Sequence, residues 1–131
     1  MTPATFMQRA AVALKSAHSL VHSGDIDGAC SRAYYATFNA ARAALAAVKA
    51  PAIAVRAKTH SGLRASFSQY LVQEGKIPKE FGAILARAEH FRLVADYLGG
   101  PISADEVTEL LDNAGKFVAA VQLYVDTTSS N

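Results

Sequence analysis

A chain of 131 residues has the usual size of one domain, and with 51% hydrophobic and 18% charged residues it has the composition of a packed core, which excludes a disordered segment. Its formal charge of +2 allows contact with nucleic acid but falls short of the basic footprint of a dedicated DNA-binding domain. No apolar run approaches the roughly 18 to 20 residues of a membrane span, and Thr2, Gln8 and Arg9 stand where a signal peptide carries apolar residues, so a cytoplasmic chain without a membrane partner is expected.

Apolar spacing predicts a first helix from about Pro3 to His22, with Phe6, Ala10, Ala13, Ala17 and Leu20 on one stripe and Gly24 as its stop. A second helix, from about Ile26 to Lys49, lines up Cys30, Tyr34, Thr37, Phe38, Ala41, Leu45 and Val48 as a core face. A separate stripe on it holds Arg32, Tyr35, Asn39 and Arg42 and is polar and partly cationic. Residues 50–59 contain Pro51 and β-branched side chains and read as a connection without regular structure.

A third helix is predicted from about Ser61 to Glu74, with Leu63, Phe67, Tyr70 and Leu71 inward and Gly75 at its end. Pro78 opens a fourth, to about Tyr97, which buries Phe81, Ile84, Leu85, Ala88, Phe91 and Ala95 and carries Glu89, Arg92 and Asp96 on another face. Ser103 and Glu106 form a capping box ahead of a fifth helix that buries Val107, Leu110, Leu111, Ala114, Phe117, Val118, Val121 and Tyr124. With short connections, these elements predict an all-α, antiparallel up-down bundle of four principal helices plus a shorter one. Residues 1–126 form the single domain and 127–131 a frayed tail.

Common catalytic signatures are missing from the sequence: it has no paired cysteines, no HExxH, no P-loop and no GxSxG. Cys30 reads as a small core residue. His18 and His22, four apart near a helix end, read as solvent-facing or capping groups, and neither a metal nor a cofactor is expected.

Three motifs remain: Ser31-Arg32-Ala33-Tyr34-Tyr35 on the second helix, the corner Lys58-Thr59-His60-Ser61, and Arg92-Leu93-Val94-Ala95-Asp96-Tyr97 at the end of the fourth. In this order and spacing they resemble the HEPN domain family, in particular its small stand-alone prokaryotic branch, over about Gln8 to Tyr124. The resemblance implies a helical bundle that dimerises and that is often encoded beside a minimal nucleotidyltransferase, the two acting as toxin and antitoxin. It also implies metal-independent cleavage of RNA, through an Arg followed about a turn later by a His, with the motifs of two subunits sharing one cleft.

The residue types suit the reaction, because attack by an adjacent 2′-hydroxyl needs a base near neutral pH and a cation where phosphate charge grows. In this chain Arg92 is present, but the residue five positions on is Tyr97. A tyrosine would need its pKa lowered by about three units, roughly 4 kcal/mol, to act as a base at pH 7. His60 is the other candidate base, and Arg32, Tyr35, Arg42 and Asp96 are candidates for contacts to phosphate or nucleotide. Two readings stand side by side: a toxin-like endoribonuclease acting on single-stranded RNA as a homodimer, and a non-catalytic module that binds a nucleotide or docks a minimal nucleotidyltransferase. A plain intrahelical ion pair between Arg92 and Asp96 is the structural alternative for those two residues.

Overall fold

Alanine on almost every side of one helix fixes the architecture. In helix α2 (Ile26–Ala47), Ala29, Ala33, Ala36, Ala40, Ala41, Ala43 and Ala44 are all fully buried. A helix buried around most of its circumference must be central, and small side chains let its neighbours approach closely. The computed structural model, which describes residues 1–129, has α2 touching every other element. Around it lie α1 (Pro3–His22), α3 (Ala52–Val55), α4 (His60–Phe67), α5 (Lys79–Leu93) and α6 (Ala104–Ser129). The described residues form an all-α bundle whose principal helices are α1, α2, α5 and α6, with α4 as the shorter one.

Local chemistry sets the helix ends. Thr2 caps α1, accepting a bond from the Thr5 amide, and Pro3 takes the opening position where its missing N–H costs nothing. Gly24 follows α1 at φ 88°, a backbone angle that glycine adopts without steric cost. Asp25 caps α2 through the Gly28 amide at 2.8 Å. The Ser103–Glu106 box forms as the sequence predicts, with reciprocal bonds of 3.0 and 3.1 Å that hold the Glu106 carboxyl below its usual range.

Three differences from the sequence reading have physical causes. Within residues 50–59, Ala52–Val55 close one helical turn on the Pro51 carbonyl, because Pro51 has the fixed φ of a helix entry. The third helix is α over His60–Phe67 and widens into a π turn over Ser68–Val72, and α5 likewise widens into a π turn over Val94–Leu98. At the other end of the chain, α6 continues to Ser129, into the segment expected to fray, while residues 130 and 131 lie outside the described part.

Two clusters make up the core. One gathers Phe6, Leu45, Leu63, Phe67, Leu71, Leu85 and Phe117, and the other gathers Cys30, Tyr34, Phe91, Leu110 and Leu111. Each buried large side chain contributes about 1.5 to 3 kcal/mol of transfer free energy. Of the predicted inward positions, Leu20, Phe38, Val48, Tyr70, Phe81, Ile84, Ala95, Val118 and Tyr124 are only partly buried, whereas Met7 and Val125 are among those buried without having been singled out. Burial raises the Cys30 thiol to about 11, aided by Asp27, Asp96 and Glu106, so it is a neutral core group at pH 7. Among the described residues no helix is long and apolar enough to cross a membrane.

Candidate functional site

The second core cluster contains a polar inclusion, and Tyr34 is its centre. Its ring is 1% exposed, yet its hydroxyl is hydrogen-bonded to Nδ1 of His60. The two rings meet edge to face with centroids 5.0 Å apart. On the same tyrosine ring lies the Arg92 guanidinium, 5.3 Å from the centroid. The Tyr34 carbonyl accepts a bond from the buried Thr37 hydroxyl at 2.7 Å, which ties the centre to the α2 backbone.

Each partner is placed by local structure. Thr59 caps α4 through the Gly62 amide at 3.0 Å, and this sets His60 as the first residue of that helix. A Cβ on Gly62 would come within 2.7 Å of the Thr59 oxygen, so a larger residue there would require the Thr59 side chain to shift. His60 also packs against Phe38, with centroids 5.8 Å apart. Arg92 comes from the last turn of α5, just before the helix widens. Its Nη1 donates to Asp96 at 3.2 Å, while Tyr97, on the π turn, brings its ring centroid to 5.6 Å from the guanidinium. π turns inside α-helices are frequent at functional sites.

The electrostatics are consistent. Burial, reinforced by the Glu89 carboxylate, pushes the Tyr34 phenol well above its ordinary value, so it stays protonated. Burial lowers the His60 pKa from 6.5, and the Arg92 cation lowers it further, against a smaller opposing pull from Glu89. The imidazole is therefore neutral at pH 7. Burial alone would lower the Arg92 pKa, but Tyr97, Asp96 and Tyr34 outweigh it and the net direction is upward. Arg92 is only 7% exposed and its Nε has no hydrogen-bond partner among the described residues. A buried unpaired donor costs about 1 to 3 kcal/mol, an arrangement that stability alone does not favour.

Of the residues singled out from sequence, Arg92, Asp96, Tyr97 and His60 meet around Tyr34. Arg32 and Tyr35 lie next to them in a separate groove, with the Arg32 guanidinium 4.9 Å from the Tyr35 centroid. Arg42 has a bracing position: its Nη2 donates to the Ala57 carbonyl at 2.9 Å and its guanidinium lies 4.4 Å from the Phe38 centroid. Burial lowers its pKa.

Sequence reasoning did not count Tyr34, Glu89 or Arg64 as members of the site. Arg64 Nε lies 2.5 Å from Glu89 Oε2, and both residues act electrostatically on His60 and Tyr34. The available signals were spacing alone: Glu89 is three residues before Arg92, and Arg64 is four after His60.

The HEPN domain family model matches residues 4–124 of this chain. A UPF0332 protein of Gloeobacter violaceus is 38% identical over 101 residues, covering 76% of this chain and 76% of that protein. A protein of Methanocaldococcus jannaschii whose name describes it as a candidate toxin is 31% identical over 94 residues, covering 72% of this chain and 66% of that one.

Proposed function

We propose that this chain, which belongs to the HEPN domain family, is the toxin-like member of a prokaryotic toxin–antitoxin pair and a metal-independent endoribonuclease that cuts single-stranded RNA as a homodimer. The observation that carries this reading is the meeting of Arg92 and His60 on the one ring of Tyr34. It sets beside the Arg92 cation the base that the motif spacing lacks, drawn from a different helix. The toxin-like role is supported by the name of the archaeal relative.

The chemistry follows from these groups. His60, neutral at pH 7, takes the proton of a ribose 2′-hydroxyl. The 2′-oxygen then attacks the adjacent phosphorus and the P–O bond to the 5′-oxygen of the next nucleotide breaks, that oxygen taking a proton from water, giving a 2′,3′-cyclic phosphate and a 5′-hydroxyl. Arg92 stabilises the growing phosphate charge, and its low exposure strengthens that interaction. When His60 Nδ1–H donates to the Tyr34 oxygen, Nε2 carries the accepting lone pair; when the Tyr34 hydroxyl donates to Nδ1, Nε2 is the donor. Tyr34 thus holds the imidazole in place through Nδ1 in either tautomer, and is a positioning residue; the tautomer with Nδ1–H is the one that leaves Nε2 free to act as the base. The exposed side chains of Tyr97 and Leu98, 71% and 69% accessible beside the centre, suit a second subunit closing over it.

The test is incubation of purified protein with RNA in EDTA. Cleavage to cyclic-phosphate ends, lost in both Arg92→Ala and His60→Asn, is the expected result. Intact RNA, or cleavage indifferent to both substitutions, overturns the reading.

A second reading is favoured by one observation. Tyr97 is 71% exposed beside a cation, a setting that suits an acceptor in which the phenol oxygen attacks the α-phosphorus of ATP and pyrophosphate leaves. A docked minimal nucleotidyltransferase would supply the catalysis. Intact mass after incubation with such an enzyme and ATP tests this, and an unmodified Tyr97 peptide refutes it.

A further inference from the structure

Outside the Tyr34 centre, a groove of about 420 Å³ lies between α1 and α2, lined by Gln8, Arg9, Val12, Arg32, Tyr35 and Asn39. Its charge is unbalanced. Helix α1 contains no carboxylate from Pro3 to His22, and α2 contains only Asp27. Neither Arg9 nor Arg32 has an ion-pair partner among the described residues, whereas Arg64, Arg87 and Arg92 each have one. Two cations left unpaired across one groove attract an anion.

The groove also offers a flat surface. Tyr35 is half-buried and the Arg32 guanidinium lies over its ring, 4.9 Å from the centroid, so a ring and a guanidinium stand together as binding elements for a base. Asn39 uses its amide N–H on the Tyr35 carbonyl at 2.9 Å, which fixes the side chain with its oxygen as an acceptor, and Gln8 is exposed on the facing helix. The groove adjoins the centre through packed rings: the Tyr35 ring lies 5.6 Å from that of Tyr34, and both Tyr35 and His60 pack on Phe38, at 6.2 and 5.8 Å.

We propose that the α1–α2 groove is the docking track for single-stranded RNA, with a base stacked on the Tyr35–Arg32 pair, flanking phosphates held by Arg9 and Arg32, and the strand led from there to His60 and Arg92. The proposal rests on the ribonuclease reading and adds to it the residues that hold the substrate. An acidic peptide would satisfy the two arginines but would leave the stack and the amides without use. A duplex would present no free base face to a half-buried ring.

The experiment measures binding of a fluorescent twelve-nucleotide RNA by anisotropy, in EDTA and across a salt series, together with steady-state cleavage by the same full-length proteins. Arg9→Gln with Arg32→Gln lowers affinity about tenfold or more and reduces the salt slope by about 1.4, the share of two phosphate contacts on a single strand. Tyr35→Leu lowers affinity about fivefold or more with the salt slope kept, and Tyr35→Phe, which retains the ring, restores it. In cleavage these losses fall on KM and not on kcat. Unchanged binding and KM in the groove variants, with Arg92→Ala still abolishing cleavage, overturn the track and leave the ribonuclease reading standing. Wild-type protein that neither binds nor cuts RNA overturns both. Poly-glutamate that displaces the RNA at equal charge, with Tyr35→Leu having no effect, assigns the groove to an acidic protein partner and overturns the proposal.

Discussion

Tyr34 and Tyr35 are consecutive residues on one helix, and they have opposite surroundings. Helical geometry turns them about 100° apart, which carries the first into the core and leaves the second half in solvent. Around Tyr34 the polar groups are enclosed: Arg92 lies on its ring, His60 is bonded to its hydroxyl, and Glu89 acts electrostatically on both Tyr34 and His60. Around Tyr35 they are open, and two arginines stand unpaired. The difference teaches which kind of function each can support. A sealed cluster can set protonation states, because low exposure magnifies each charge, while an open groove can bind and release a polyanion without disturbing the fold.

The strongest way to break this comparison is at Arg92. Arg92→Ala removes the cation from the sealed side and should lower RNA cleavage by about 100- to 1,000-fold, the usual loss for one donor at a developing oxyanion. Arg92→Lys should recover little, since a lysine cannot reproduce the planar fork that reaches Asp96 and the tyrosine rings together. Cleavage rates at saturating RNA measure both.

The next test makes the same chemical change twice. Tyr34→Phe deletes a buried hydroxyl and leaves His60 Nδ1 without its partner, which should cost about 1 to 2 kcal/mol of stability. Tyr35→Phe deletes a hydroxyl at the open groove and should stay within about 0.5 kcal/mol of wild type. Urea unfolding midpoints with unchanged slopes distinguish them. Equal losses would mean that the two tyrosines do not differ as described.

Much of the fold was legible in the sequence because its determinants are local. Pro3 at a helix start, Gly24 at a helix end and the Ser103–Glu106 box each act within four residues. Contacts within the site were legible only where its members share a helix, as Arg92 and Asp96 do; His60 was marked by its motif but not by its partner. The pairing of His60 with Tyr34 joins residues 26 apart, and apolar spacing marked Tyr34 as core, which is correct for its ring and silent about its hydroxyl. The π turns left no mark either, since widening a helix by one residue depends on what packs against it. Arg42 shows the same limit: its place on the polar stripe was readable, but its bond to the Ala57 carbonyl depends on how the α3–α4 connection returns to α2.

Acid should expose the sealed side of the comparison more gently. His60 has a folded pKa below the 6.5 of the unfolded chain, chiefly through burial and Arg92. Between those two values the unfolded chain binds a proton that the folded one refuses, so stability falls as the pH drops below about 6.5 and levels off once the folded value is passed. In His60→Asn this part of the pH dependence should vanish. Denaturant unfolding at a series of pH values measures it, and an unaltered acid slope in the variant would place the proton uptake elsewhere.

The smallest effects carry the sharpest signs. Four groups from three helices face His60: Tyr34 on α2, Arg64 on α4, and Glu89 and Arg92 on α5. Glu89 pulls its pKa up and Arg64 pushes it down, and the two are paired with each other at 2.5 Å. Glu89→Gln should therefore move the acid limb of the cleavage profile to lower pH, and Arg64→Gln should move it to higher pH. Arg64 is 42% exposed and Glu89 13%, so salt should erase the Arg64 shift sooner than the Glu89 shift. The same two substitutions should leave the salt slope of RNA binding at the Tyr35 groove unchanged, because neither residue lines it. Shifts of one sign in both variants would mean that the pair acts on the fold and not on the histidine, and the division between a sealed centre and an open groove would lose its electrostatic basis.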